Sequence, residues 1–201
     1  MRALTRTIGR LAVVAAVAFT GVAVAAGPAA AKGSSTGLSG RTSVVTAPGI
    51  ATTLLRNGIL PIVTSPGSAS LAYNGGLAVR ATFPVTGGNP TLEPLGGQVL
   101  HRGGIKFVNL RNRTALEVGN FTIDLNSGQL TGAVNRGSTR VPVFTLDLSR
   151  ASITVTGNVV RITGVGLVLT DAAAGALNAT LKVGVFAGGL RFGSASVKLV
   201  L

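Results

Sequence analysis

The sequence contains neither cysteine nor tryptophan, and it has a single histidine, His101, and a single tyrosine, Tyr73. Without cysteine the protein can form neither disulfides nor thiolate metal sites, so its stability must come from burial and backbone pairing. A zinc site with two histidines is excluded as well. Aromatic residues make up only 4% of the chain, and the core is therefore expected to consist mainly of Val, Leu, Ile and Ala.

Acidic residues are also scarce, which limits the possible enzyme classes. The five acids are Glu93, Glu117, Asp124, Asp147 and Asp171. They are scattered, without the clustered oxygens of a calcium loop or a visible pair of glycosidase carboxylates. A Ser-His-Asp triad would have to use His101, while the serines fall mainly in predicted turns. The sequence therefore predicts a non-enzymatic protein without a metal site or a resident cofactor, and a hydrolase that uses His101 is the alternative.

The first residues have the three-part pattern of a secretory signal peptide. Three arginines among the first ten residues precede an uncharged apolar stretch over 11–26, and small residues follow it. This stretch has 16 residues, fewer than the roughly 20 of a membrane-spanning helix. We expect a signal peptide at 1–31, cleaved after Ala31, with Ala25 and Ala26 as alternative positions and an uncleaved anchor as a further alternative. The mature protein is then expected to be extracellular or associated with the cell wall, without a transmembrane segment.

The chain is strongly basic, with 18 lysines and arginines and a formal charge of +13. A basic surface attracts anionic partners over long distances. The densest basic stretch begins at His101 and contains the candidate polyanion contacts Arg102, Lys106, Arg111 and Arg113. A solvated strand face is the alternative interpretation of this stretch. No nucleic-acid recognition motif is present, so the expected partner is an anionic wall polymer, a protein or a small ligand.

Most of the chain has the chemistry of β-strands. Segments rich in β-branched residues are separated by Gly, Asn and Ser, which is typical of antiparallel all-β domains. The predicted strands are Ile59–Val63, Leu77–Pro84, Gly97–Leu100, Gly104–Leu110, Ala115–Val118 continuing into Phe121–Leu125, Gln129–Asn135, Val141–Leu148, Ser152–Thr156, Val159–Leu169 and Ser194–Leu201. The turns at Gly157-Asn158 and at 126–128 are the clearest hairpin signals. The predicted fold is an antiparallel sandwich or barrel with two short helices.

The two helices are predicted from their periodicity and their end signals. The apolar spacing over 50–56 favours a helix that ends at Asn57-Gly58. A second helix is expected over 172–181, where Thr170 can cap its amino end. Residues 32–47, rich in Gly, Ser and Thr, are expected to be a flexible lead-in or an edge strand at 43–46. One β domain then fills 48–201.

Several segments resemble a known family in their order and in their glycines. They are Phe83-Pro-Val-Thr-Gly-Gly88, Gly97-Gln-Val-Leu-His101-Arg-Gly-Gly-Ile-Lys-Phe107, Phe121-Thr-Ile-Asp-Leu125, Leu130-Thr-Gly-Ala-Val134, Leu169-Thr-Asp-Ala-Ala-Ala-Gly-Ala-Leu177 and Gly189-Leu-Arg-Phe-Gly193. Together they cover roughly residues 50–201, and their order is similar to that of HtaA-like domains of actinobacterial cell-surface haem-uptake proteins.

The resemblance implies a β-rich domain at the cell surface that holds haem through a tyrosine supported by a histidine. His101 would be the supporting histidine. The family tyrosine is expected in the segment that holds residues 52–57, which contains none, and Tyr73 is the only candidate in the chain. The leading hypothesis is a secreted, non-enzymatic binding domain at the cell envelope. Capture of haem or another small ligand by Tyr73 and His101 is the alternative.

Overall fold

The structure is a computed structural model that describes residues 38–92 and 94–201, and the signal peptide expected at 1–31 lies outside this part of the chain. The strands are β1 (Ser39–Thr46), β2 (Ile59–Thr64), β3 (Ser68–Tyr73), β4 (Leu77–Gly88), β5 (Thr91–Leu92), β6 (Leu95–Gly96), β7 (Gln98–His101), β8 (Gly104–Asn109), β9 (Thr114–Asp124), β10 (Gln129–Val134), β11 (Arg140–Asp147), β12 (Ser152–Thr156), β13 (Val159–Leu169) and β14 (Arg191–Val200). The helices are α1 (Ile50–Arg56) and α2 (Asp171–Leu181).

Eight of the strands form one closed antiparallel ring. Their order is β10, β11, β13, β14, β1, β4, β7 and β9, and β9 pairs back to β10. Four further strands extend the ring: β8 and then β2 continue from β9, β3 adds to β4, and β12 adds to β13. The prediction of an all-β fold with two short helices is confirmed, and the barrel is the correct one of the two predicted architectures.

Alternating side chains fill the interior of the ring. In β14, Ala195, Val197 and Leu199 are buried, and their neighbours in the chain are more exposed. An eight-strand barrel has an interior that is just wide enough for side chains to fill. Here Val, Leu and Ile supply most of that filling, and an edge-to-face contact joins the rings of Phe83 and Phe121 at 5.2 Å. The aliphatic core expected from composition is the one observed.

Helix α1 has the bounds expected from the sequence, and α2 begins one residue earlier than expected. Gly58 has a φ of 73° just beyond α1, as a left-handed stop requires. The Thr170 hydroxyl accepts a hydrogen bond from the amide of Ala173, at 3.1 Å, and so caps α2. Both predicted hairpin turns are present as well, with Gly128 at a φ of 63° and Gly157 at 58°.

The expected lead-in at 32–47 is wrong where the structure describes it. Strand β1 pairs with β14 on one side and with β4 on the other, so it is neither flexible nor at an edge. Its small polar residues suggested a linker, but Thr42 and Thr46 are buried and hydrogen-bonded: the first contacts His101, and the second accepts from the amide of Val79. Side-chain partners distant in sequence therefore stabilise this strand.

One other difference concerns β3, which lies in a segment for which no strand was predicted, because its Ser and Ala residues carry little strand signal until they pair with β4. The strand expected at 115–118 continues into 121–125 as predicted and forms β9, in which Asn120 adopts a positive φ of 49°. Neither helix in the described part of the chain, at 7 and 11 residues, is long and apolar enough to cross a membrane.

The position of β1 predicts that a chain beginning at Pro48 does not form the ring, because β14 and β4 would lose their common neighbour. A chain beginning at Leu38 should keep its fold. Far-ultraviolet circular dichroism with thermal melting distinguishes the two: we expect a cooperative transition for the longer chain and none for the shorter one. A shorter chain that melts cooperatively at the same temperature would show that β1 is dispensable.

Candidate functional site

His101 lies inside the ring, at the end of β7. Its side chain is only 4% exposed, and both ring nitrogens have partners. Nδ1 lies 3.3 Å from the carbonyl oxygen of Phe121, and Nε2 lies 2.6 Å from the hydroxyl oxygen of Thr42. A carbonyl oxygen can only accept, so Nδ1 carries the proton and Nε2 accepts from the Thr42 hydroxyl.

Burial lowers the pKa of His101 from 6.5 to about 4, although backbone hydrogen bonds to Phe121 and Val99 act in the opposite direction. The ring is therefore neutral near pH 7. The cavity beside it measures about 40 Å³ and is lined by apolar side chains such as Phe83 and Phe144. This space is far below the several hundred cubic ångströms of a typical ligand site.

The surroundings of His101 do not support the hydrolase alternative. A triad needs a carboxylate on one ring nitrogen and a hydroxyl nucleophile open to substrate on the other. Here a carbonyl takes the place of the carboxylate, and the Thr42 hydroxyl is buried. Asp124 accepts from Gln98, and Asp147 contacts Ser149 and Arg191. In the described residues, no three His, Cys, Asp or Glu side chains cluster as metal ligands.

Tyr73 and His101, the two predicted ligand residues, are not brought together. Tyr73 ends β3 opposite Leu77, whereas His101 pairs with Val85 on the same strand β4. Val85 lies eight positions beyond Leu77 on that strand, which corresponds to about 26 Å at roughly 3.3 Å per residue. Tyr73 is also 86% exposed. His101 therefore does not support Tyr73 at a shared ligand.

A concavity of about 400 Å³, which we call the apolar groove, lies along the hairpin that carries Tyr73. Tyr73 is not among its lining residues, but it lies opposite Leu77, which is one of them. Helix α1, strand β2 and the β3–β4 hairpin form its walls. Its lining residues are Ala51, Leu55, Leu60, Pro61, Ala69, Ser70, Leu71, Leu77 and Val79. Sequence reasoning missed this groove, because the residues come from three separate segments and β3 was not predicted.

The groove exists because two strands lie at edges. Within the described residues, β2 pairs only with β8, and β3 pairs only with β4. Leu71 lies opposite Val79 and Tyr73 opposite Leu77, so the alternation of strand side chains places all four on one face of the hairpin. Leu71 is 79% exposed and Leu55, across the groove, 51%. Large apolar side chains grouped in this way indicate a binding surface.

The four predicted polyanion contacts divide into two groups. Arg102 precedes β8 and lines a separate polar concavity of about 410 Å³. Lys106 lies within β8 opposite Glu117, and Glu117 also lines this concavity. Arg111 and Arg113 follow the far end of β8, where Arg111 donates to the carbonyl oxygen of Arg56. The part of β8 beyond Lys106 separates the two groups along the strand.

The lowered pKa of His101 predicts a pH dependence of stability. The unfolded chain binds the proton below pH 6.5 and the folded chain only near pH 4, so stability falls as the pH decreases through this window. The shift corresponds to about 3 kcal/mol of unfolding free energy. Urea denaturation between pH 7 and pH 4.5 should show this loss, and His101→Gln should show a flatter profile even if it is less stable at pH 7. Equal slopes in both proteins would contradict the assignment.

The fold of this chain also occurs in known proteins. No protein-family model and no curated protein sequence matches the chain. Among solved structures, the C-terminal domain of HtaA from Corynebacterium glutamicum matches with a TM-score of 0.53 and 15% identity, over 81% of this chain and 98% of that one. The haem-binding protein HtaB from Corynebacterium glutamicum matches with a TM-score of 0.50 and 13% identity, over 81% and 94%. The chain therefore has an HtaA-like fold.

Proposed function

We propose that this domain is a non-enzymatic binding module that holds a planar, largely apolar ligand of the haem class in the apolar groove. The observation that carries the proposal is the group of large apolar side chains left uncovered around the groove, with Leu71 79% exposed and Leu55 51%. Exposed leucines on opposing walls gain free energy when a ligand removes them from water, at roughly 25 cal/mol per Å².

The size and shape of the groove suit such a ligand. Its volume of about 400 Å³ falls within the roughly 300–1,000 Å³ of small-molecule sites. The groove is open on one side, so carboxylates on the ligand edge can remain in water while the flat apolar body is buried. The interior of the ring is unsuitable by comparison, because the cavity next to His101 measures only about 40 Å³.

Tyr73 is the residue that would coordinate iron. It lies on the same hairpin face as Leu71 and Leu77, two residues beyond Leu71 along β3, a distance of about 7 Å. A tyrosine phenolate is one of the known axial ligands of haem iron. His101 has no part in this arrangement, because it is buried on another part of the ring and bonded to Thr42. The structural likeness to HtaB, which is named as a haem-binding protein, supports the choice of ligand.

Titration of the purified protein with haemin tests the proposal. We expect a Soret shift, and Leu71→Asp should weaken binding by about tenfold or more, because it places a charge on an apolar wall. Val155→Asp is the matched control: Val155 is 53% exposed on β12, away from the groove, and should change affinity by less than about twofold. Equal effects of the two variants, or no Soret shift in the unmodified protein, would refute the groove as the site.

Tyr73→Phe tests coordination separately from groove binding. If the phenolate binds ferric iron, this variant should lose the phenolate-to-iron charge-transfer absorption and bind haemin more weakly, since the ring stays and only the oxygen is removed. Protoporphyrin without iron should bind the variant and the unmodified protein alike. An unchanged spectrum in Tyr73→Phe would exclude Tyr73 as the iron ligand. Apolar contact with the groove would then be the only interaction proposed to hold haemin.

We further propose that the protein acts at the cell envelope or outside the cell, as its amino-terminal sequence indicates. The support is the pattern of three arginines, a 16-residue apolar stretch and small residues that precedes the β domain. Mass spectrometry of culture fluid and cell-wall fractions should find a chain that begins at Lys32, the residue after Ala31. A chain that is found only in the cytosol and still begins at Met1 would contradict this proposal.

A further inference from the structure

The polar concavity beside Arg102, which we call the polar pocket, shares no lining residue with the apolar groove. It lies on the outward face of the sheet, where β2 ends and β8 begins. The pocket faces outward because Glu117, which lines it, lies between the buried Leu116 and Val118 on β9, and successive side chains of a strand point to opposite faces. Its volume is about 410 Å³, and arginines from two different loops, Arg102 and Arg136, reach it.

The charges around the pocket are predominantly positive. Arg136 donates from Nε to Glu117 at 3.0 Å, and among the described residues its two terminal nitrogens make no hydrogen bond. Arg102 has no side-chain hydrogen bond or ion pair to any described residue, and Lys106 lies opposite Glu117 in the strand register. Two arginines and one carboxylate thus line the pocket, Lys106 lies next to it in the sheet, and both guanidinium groups still have donors available.

Backbone contacts hold the loop that carries Arg102 in place before any ligand arrives. The amide of Arg102 donates to the carbonyl oxygen of Pro84 at 3.3 Å, and the amide of Asn120 donates to that of Gly103 at 2.7 Å. A Cβ atom on Gly103 would lie 2.9 Å from the carbonyl oxygen of Thr64, so the strands approach closely here. The loop carrying Arg102 is therefore fixed between neighbouring strands, and less conformational entropy is lost on binding.

We propose that the polar pocket binds the phosphate or carboxylate group of a small acidic sugar. Guanidinium groups bind both kinds of oxyanion through paired N–H donors. Ser65 and Asn120 line the same pocket, and a hydroxyl and a side-chain amide can both bond to the hydroxyl groups of a sugar ring. The carboxylate of Glu117 positions Arg136 and repels the ligand anion, so it limits the affinity.

Calorimetric titration of the full chain with glucose 6-phosphate, glucuronate and uncharged glucose tests this site. We expect one or both acids to bind and glucose not to bind. Arg102→Gln and Arg136→Gln should each weaken binding by about tenfold, the usual effect of losing a charge-assisted contact. Comparison of the two acids shows whether phosphate or carboxylate is preferred.

Two further variants distinguish binding at a specific site from the general attraction of an anion to a basic protein. Arg161→Gln removes the same charge from an exposed position on β13 that does not line the pocket, and should change affinity by less than about twofold. Glu117→Gln should tighten binding by about threefold or more, because it removes the repulsion and leaves Arg136 available.

Several results would overturn the proposal: no binding of either acid at millimolar concentration, equal binding of glucose, or equal losses in Arg102→Gln and Arg161→Gln. Thermal melting of each variant should show a folded protein, since the three arginine side chains are exposed and Glu117→Gln keeps the shape of the side chain. Haemin binding by Arg102→Gln should be unchanged, because the groove and the pocket have no residue in common. Failure at one site is thereby distinguished from failure at the other.

Discussion

Closure of the eight-strand ring is the constraint from which the other features follow. Once β9 pairs back to β10, the ring strands satisfy one another's backbone groups, and only side chains small enough for an eight-strand interior can be enclosed. Aliphatic side chains, a few Phe rings and neutral His101 fill that space. A ligand of any size must therefore bind outside the ring. Both proposed sites lie where additional strands, β2, β3 and β8, leave it.

Elements defined by local chemistry could be predicted from the sequence. Helix α1 ends at Asn57-Gly58, and α2 begins after a capping Thr170, because these signals act within a few residues of the chain. The same holds for the hairpin turns at Gly128 and Gly157, where a positive φ is needed. β1 was predicted only in part, as an edge strand over 43–46, and β3 was not predicted, because their Ser, Thr and Ala residues form strands only through pairing with other strands.

The candidate sites depended even more on distant pairing. Tyr73 and His101 could be singled out because each is unique in the chain. Their separation is set by the register of β4, which no local pattern indicates. The same limit applies to Arg136, which joins Arg102 at the polar pocket because a turn after β10 brings it to Glu117. The sequence shows which residues have the chemistry to bind a ligand, but strand order and register decide which of them lie close together.

The facing edges of β2 and β3 have a consequence for how the domain accommodates a guest molecule. No ladder of backbone hydrogen bonds joins these two strands in the described chain, whereas each is bonded to its other neighbour. The β3–β4 hairpin stays tied to the ring, because β4 also pairs with β1, and Asn74 and Val79 donate hydrogen bonds to Thr46. The cleft can therefore receive a guest molecule through movements of side chains such as Leu55 and Leu71, while the backbone on either side stays in place.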